Sequence, residues 1–227
     1  MSGLFYAILW LLFKVLGRVF LRIRIIGREH IPRTGGVLFA ANHASYSDIP
    51  LLGCAIPRRV TFIGRANLFP NRFVNWALRS LGWIPLRPDR FDRKAFGEAI
   101  SCLKAGKPVV IFPEGTRTED GHLNEGKPGI GVMVAETQCP VIPAYISGSY
   151  QVLPMGAAWP RLHPVTIQFG EPIDFSSTPR ERPREFYDYV STTVMTRIAG
   201  LGQVPHPNRQ QSASQPSNAE DEAGKLC

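Results

Sequence analysis

Residues 37–48 read VLFAANHASYSD, and this stretch decides the fold. VLFAA at 37–41 is a short, wholly apolar run of the kind that forms a strand buried on both faces of a sheet. A polar turn containing His43 follows directly at its end. Asp48 and Pro50, ahead of LLGCAI, read as the start of a helix that Pro57 stops. Strand, polar turn and helix make up the repeating unit of an α/β fold, in which ligands bind beyond the carboxyl ends of the strands.

The same alternation extends outward in both directions. LRIRI from Leu21 has the apolar–polar rhythm of a strand, and VTFIG at 60–64 is a second apolar run. Pro70 opens a predicted helix with Phe73, Trp76, Ala77 and Leu81 on one face and Gly82 closing it. Phe96, Ala99, Ile100 and Leu103 mark another, ended by Gly106. PVVIF at 108–112, PVIPAYI at 140–146 and PVTIQFG at 164–170 read as strands. Residues 128–138 and a segment through Phe186, Tyr189, Val190 and Val194, ending near Gly200, read as helices. The pattern predicts one α/β domain with a central, largely parallel or mixed sheet flanked by helices. There is no internal repeat and no glycine-rich dinucleotide fingerprint.

The 227 residues divide into three parts. Residues 1–20 pair an uncharged run, GLFYAILWLLF at 3–13, with Lys14 and Arg18 on one helical face. That run is too short to span a bilayer, which takes about 20 apolar residues. It fits a helix lying in the membrane interface with its cations at the headgroups, or one packed on the domain's own core. Residues 21–201 form the folded domain. Residues 202–227, rich in Gln, Ser, Pro and Asn, read as a disordered polar tail. The net charge is +8, and residues 1–47 hold six Lys/Arg against one acid, Glu29. Such a balance favours anionic membrane or phosphorylated small molecules. Nucleic acid is disfavoured, because no basic helix with interleaved aromatics is present. The four cysteines, Cys54, Cys102, Cys139 and Cys227, have no paired or zinc-type spacing, which points to reduced thiols and a cytosol-facing location.

Two motifs carry chemistry. In NHASYSD, Asp48 either caps the helix that follows or reaches back to hold one nitrogen of His43, leaving the other free to take a proton. No GxSxG accompanies the pair, and Ser45 and Ser47 have no independent support as nucleophiles. The substrate's own hydroxyl is therefore the expected nucleophile, deprotonated by His43. FPEGTRT at 112–118 is a strand followed by a glycine turn, with Arg117 suited to bidentate phosphate contact or else to an ordinary surface salt bridge. Gly126-Lys127-Pro128-Gly129 sets a lysine before a helix N-terminus, and Arg87 ends the apolar segment GWIPLR.

In this order these residues resemble the glycerolipid acyltransferase family, specifically the bacterial lysophosphatidic acid acyltransferases (1-acyl-sn-glycerol-3-phosphate acyltransferases). NHASYSD matches the family's NHxxxxD block, GWIPLR its second, FPEGTRT its third and VIPAYI its proline-containing fourth, over residues 23–175. The resemblance implies a general base at His43 oriented by Asp48. It implies a glycerol-phosphate site of Arg87, Glu114, Gly115, Thr116, Arg117 and Lys127, and an acyl or donor side near Arg65 and Pro143. Either Arg87 or Arg90 fills the arginine position of the second block. Arg65 stands where many relatives carry lysine, and Asn67 where they carry an acid. Phe69, Phe73, Trp76 and Trp83 are candidates to line an acyl tunnel.

The implied reaction moves an acyl chain from acyl-coenzyme A or acyl carrier protein to the sn-2 hydroxyl of lysophosphatidic acid. The product is phosphatidic acid for phospholipid synthesis, made at the cytoplasmic face of the membrane with no metal or other cofactor in the chemical step. Two alternatives stay open. One is a different lysolipid acceptor (a lysophospholipid or an acylated amino-acid lipid); the other is a catalytically silent lipid-binding protein, against which the intact His43/Asp48 pair argues.

Overall fold

The computed structural model describes residues 21–66, 79, 82–87, 92–157 and 159–206. Residues 1–20, most of the predicted helix between Pro70 and Leu81, Asn67, Phe69, Arg90 and residues 207–227 lie outside them. Seven strands form one sheet: β1 (Arg24–Ile26), β2 (Val37–Ala41), β3 (Thr61–Arg65), β4 (Trp83–Leu86), β5 (Pro108–Ile111), β6 (Val141–Ser147) and β7 (Thr166–Phe169), in spatial order β1-β7-β6-β2-β5-β3-β4. All neighbouring pairs are parallel except β6 and β7. The sheet is thus mixed, as expected, with VLFAA as its fully buried centre.

Alternation along the central strands divides the interior into two cores. Leu38, Ala40, Val109, Ile111 and Val141 face helices α2 (Arg93–Lys104), α3 (Gly129–Thr137) and α5 (Pro183–Gly202). Val37, Phe39, Ala41, Val110 and Ile142 face α1 (Asp48–Ala55) and the one-turn helix α4 (Ser149–Val152). Both sheet faces are therefore dry, which is what wholly apolar rather than alternating strands require. In α2 the side chain of Asp92 caps the N-terminus by accepting from the Lys94 and Ala95 amides, and Ala95, Phe96, Ala99 and Leu103 form the buried stripe.

Two features of the fold differ from the sequence reading. WIPL is a full edge strand, β4, and not merely a short apolar segment. At the C-terminal end α5 runs to Gly202; Gln203, in the left-handed region at φ 52°, turns the chain back so that the Val204 amide donates to Ala199 O. Val204 packs against the core, so the folded body continues past residue 201.

Helices α3 and α5 approach so closely that a Cβ at Gly131 would lie 2.3 Å from Tyr187 Cα and 2.7 Å from its carbonyl oxygen. Backbone cannot swing aside as a side chain can. Gly131→Ala is therefore expected to destabilise the protein by about 1–3 kcal/mol, despite alanine's helical advantage of about 1 kcal/mol. An unchanged midpoint in urea or thermal unfolding would show that the two helices can part without cost.

Candidate active site

The carboxyl ends of the parallel strands β2, β5, β3, β4 and β6 share one edge of the sheet, and the two motifs meet there. Beyond the last β2–β6 pair, Ala41 opposite Ala144, the buried side chain of Asn42 continues the ladder. Its Nδ2 donates to Ile146 O at 3.1 Å and its Oδ1 accepts from Ile146 N at 2.7 Å. This fixes the point at which the chain leaves the strand.

His43 is held by its backbone and its ring. Its amide donates to Glu114 Oε1 at 2.8 Å, and its carbonyl accepts from Thr118 N at 2.9 Å. The imidazole stacks on Phe112, with centroids 3.9 Å apart and planes 14° from parallel. Nδ1 lies 2.9 Å from Asp48 Oδ2, which also accepts the amides of Ala44 and Ser45 at 2.8 Å each. The carboxylate thus folds back over the turn instead of capping α1, which settles the choice that the sequence left open. An ionised carboxylate only accepts, so Nδ1 carries the hydrogen and the lone pair sits on Nε2. Among the described residues nothing bonds to Nε2. Asp48 is fully buried and the His43 side chain 14% exposed, so the carboxylate lies inside and the ring partly reaches the surface.

Glu114, expected in the glycerol-phosphate site, sits beneath the turn. It is buried, and each carboxylate oxygen takes a backbone amide, Oε1 from His43 and Oε2 from Asn124 at 2.8 Å. Each oxygen is thus tied to the backbone of a different segment. Burial pushes its pKa from 4.5 up to about 7; the amides of Asn124 and His43 pull it back in part, and the nearby Asp48 charge adds a smaller rise.

Arg117 and Lys127 complete the turn. The Arg117 guanidinium lies over the Tyr46 ring, 3.5 Å from its centroid, and its Nη1 is buried with no hydrogen-bond partner among the described residues. Stacking of this kind fixes the guanidinium plane and leaves its donors for an anion. Gly115 has φ +73°, and a Cβ there would meet Lys127 Cδ, Cε and Nζ at 3.0 Å, so the lysine chain lies directly across the glycine. The Lys127 amide donates to Pro113 O at 2.8 Å and fastens that segment to the turn. Thr116 is exposed beside Gly115.

His43, Asp48, Glu114, Gly115, Arg117 and Lys127 are therefore one cluster. Arg65 ends β3, two strands from β2, and Arg87 follows β4, three strands away, at the same edge; both are exposed. At about 4.8 Å per strand, Arg87 stands roughly 14 Å along the rim from the β2 end. Pro143 is buried mid-strand, and its Cγ would lie 2.9 Å from a Cβ at Gly170, with α5 overhead; it packs the core instead of opening onto the rim. Trp83, a proposed tunnel residue, is likewise buried in the core on the α1 side. Sequence reasoning missed Tyr46, Phe112, Thr118 and Asn124, whose contributions come from an aromatic face or a main-chain amide. The aromatic in the third position between His43 and Asp48 was the one visible signal.

The chain belongs to the acyltransferase family, whose model matches residues 22–147. It is 28% identical over 162 residues to 1-acyl-sn-glycerol-3-phosphate acyltransferase of Bacillus subtilis, covering 69% of this chain and 78% of that protein. It is 31% identical over 143 residues to the chloroplastic 1-acyl-sn-glycerol-3-phosphate acyltransferase LPAT1 of Arabidopsis thaliana, covering 61% of this chain but 39% of that protein, so it spans well under half of that relative. The crystal structure of the 1-acyl-sn-glycerophosphate (LPA) acyltransferase PlsC from Thermotoga maritima superposes with a TM-score of 0.66 at 28% identity, covering 92% of this chain and 81% of that one.

Because Glu114 titrates higher in the folded chain than in the unfolded one, the folded chain keeps its proton between pH 4.5 and about 7 while the unfolded chain has lost it. Stability through this group is full below the lower value and falls as pH rises toward the upper one. In urea unfolding, the stability advantage of wild type over Glu114→Gln should narrow by about 1–3 kcal/mol between pH 4.5 and 8. A pH-independent difference would show that the buried carboxyl has its ordinary affinity for protons.

Proposed function

We propose that this protein is a 1-acyl-sn-glycerol-3-phosphate acyltransferase. In this reading the sn-2 hydroxyl of lysophosphatidic acid lies against His43 Nε2, which takes its proton as the oxygen attacks the thioester carbonyl of acyl-coenzyme A or acyl carrier protein. The C–O bond forms, the C–S bond breaks, and the imidazolium returns the proton to the leaving thiolate. Phosphatidic acid and free thiol are the products, with no acyl-enzyme and no cofactor beyond the donor. The observation that carries the proposal is a histidine tautomer fixed by a buried aspartate, its free nitrogen at the same strand edge as a stacked arginine with an unpaired buried donor. That pairing suits a hydroxyl and a phosphate on one small acceptor.

Arg117 and Lys127 are the proposed phosphate ligands, with Gly115 and Thr116 shaping the turn and Arg87 and Arg65 lying farther along the rim. Glu114 and Pro143 act through the backbone and the core, as positioning residues. No helix of the described residues is long and apolar enough to cross a membrane. Residues 1–20 are proposed to lie in the interface of an anionic membrane at its cytoplasmic face, where the acceptor resides.

Purified protein given lysophosphatidic acid and labelled acyl-coenzyme A in detergent should form phosphatidic acid, and His43→Ala should lower turnover by about 10²–10⁴-fold. Product from the variant at the wild-type rate would remove His43 from the mechanism. Transfer only to lyso-ornithine or other phosphate-free lysolipids would move the assignment to a different acceptor. Arg117→Ala should raise KM for lysophosphatidic acid by about 10–100-fold and leave KM for the acyl donor unchanged; equal changes in both would place Arg117 outside the phosphate site.

A further inference from the structure

The connection between α4 and β7 exposes three large apolar side chains: Met155 at 41%, Trp159 at 82% and Leu162 at 74%. Single exposed apolar residues are ordinary, but these three fall within one short connection, and the tryptophan is nearly clear of the protein. The connection is tied down at its ends. The Arg161 amide donates to Val152 O at 2.7 Å, and the Val165 amide to Leu21 O at 3.0 Å.

Its place in the fold follows from strand direction. β7 runs antiparallel to β6 with Thr166 opposite Ser147, so the connection hangs from the edge that carries His43. Tyr150 of α4 donates its hydroxyl to Glu119 O at 2.8 Å, which joins this region to the segment following Arg117. β1 is parallel to β7 with Arg24 opposite Thr166, so residues upstream of Leu21 join the body at the same edge. That upstream stretch is the apolar and basic segment 1–20. Near the junction stand Arg22, Arg24 and Arg161, with no acid in residues 21–28 or 153–165.

We infer that Met155, Trp159 and Leu162 form a membrane-insertion element that seats the catalytic edge of the sheet on an anionic bilayer. Tryptophan settles at the headgroup level with its ring among acyl chains, and arginines at the border meet lipid phosphates. Attachment at this edge holds His43 over the plane in which a lysolipid lies. This rests on the reading that the acceptor is taken from a membrane.

The test uses the full chain and its Trp159→Ala/Leu162→Ala variant, sedimented with vesicles of phosphatidylcholine and phosphatidylglycerol. The apparent vesicle Kd should rise about tenfold or more, and transfer to vesicle-borne lysophosphatidic acid should fall in step. The thermal midpoint and transfer to detergent-dispersed acceptor should stay at wild-type values. Equal vesicle binding by the two proteins overturns the inference. A lowered midpoint with equal binding overturns it too, and assigns these side chains to the stability of the fold. Weakened binding by the variant, with no acyl transfer by either protein in detergent, upholds the membrane element and sinks the acyltransferase reading.

Discussion

The site depends on the two backbone hydrogen bonds of His43, its amide to the Glu114 carboxylate and its carbonyl to the Thr118 amide. These bonds make one unit of two segments 71 residues apart. Glu114 extends the unit through its second oxygen to Asn124, and the Lys127 amide closes it on Pro113. A buried carboxylate is costly unless its oxygens are satisfied. Here the main-chain amides that satisfy it are also those that need fixing, so one side chain solves both problems.

Around that seat the imidazole is constrained on three sides: Phe112 against its face, Asp48 at Nδ1 and its own backbone below. The Asp48 carboxylate and the Phe112 face together set the direction of the ring by geometry. Arg117 is placed by a different device. The Tyr46 ring keeps the Arg117 plane in place without consuming its donors, whereas a carboxylate partner would have occupied them.

Much of this was legible in the residues. VLFAA had to be a strand buried on both faces because it contains no polar position to turn outward, and its end had to carry NHASYSD. The pairing of His43 with Asp48 followed from five-residue spacing across a helix start. The surroundings of Glu114 and Pro143 were not legible for a common physical reason: they are decided by remote atoms, the amides of His43 and Asn124 for one and Gly170 for the other. The direction of β7 was equally hidden. The connection from Ser147 to Thr166 is long enough for a parallel crossover or an antiparallel return, and composition does not choose between them.

Because His43 gives one backbone atom to Glu114 and the other to Thr118, the 112–118 turn acts as a ruler. Its length sets the height of the ring above the sheet. A lineage that lengthened it by one residue would put both backbone bonds of His43 out of register, while the His43–Asp48 pair, contained in residues 43–48, does not pass through this turn. Inheritance can therefore tinker with the outlying ends of β3 and β4, where Arg65 and Arg87 stand in solvent, far more freely than with this turn. Change at those ends leaves the bonds that seat His43 untouched.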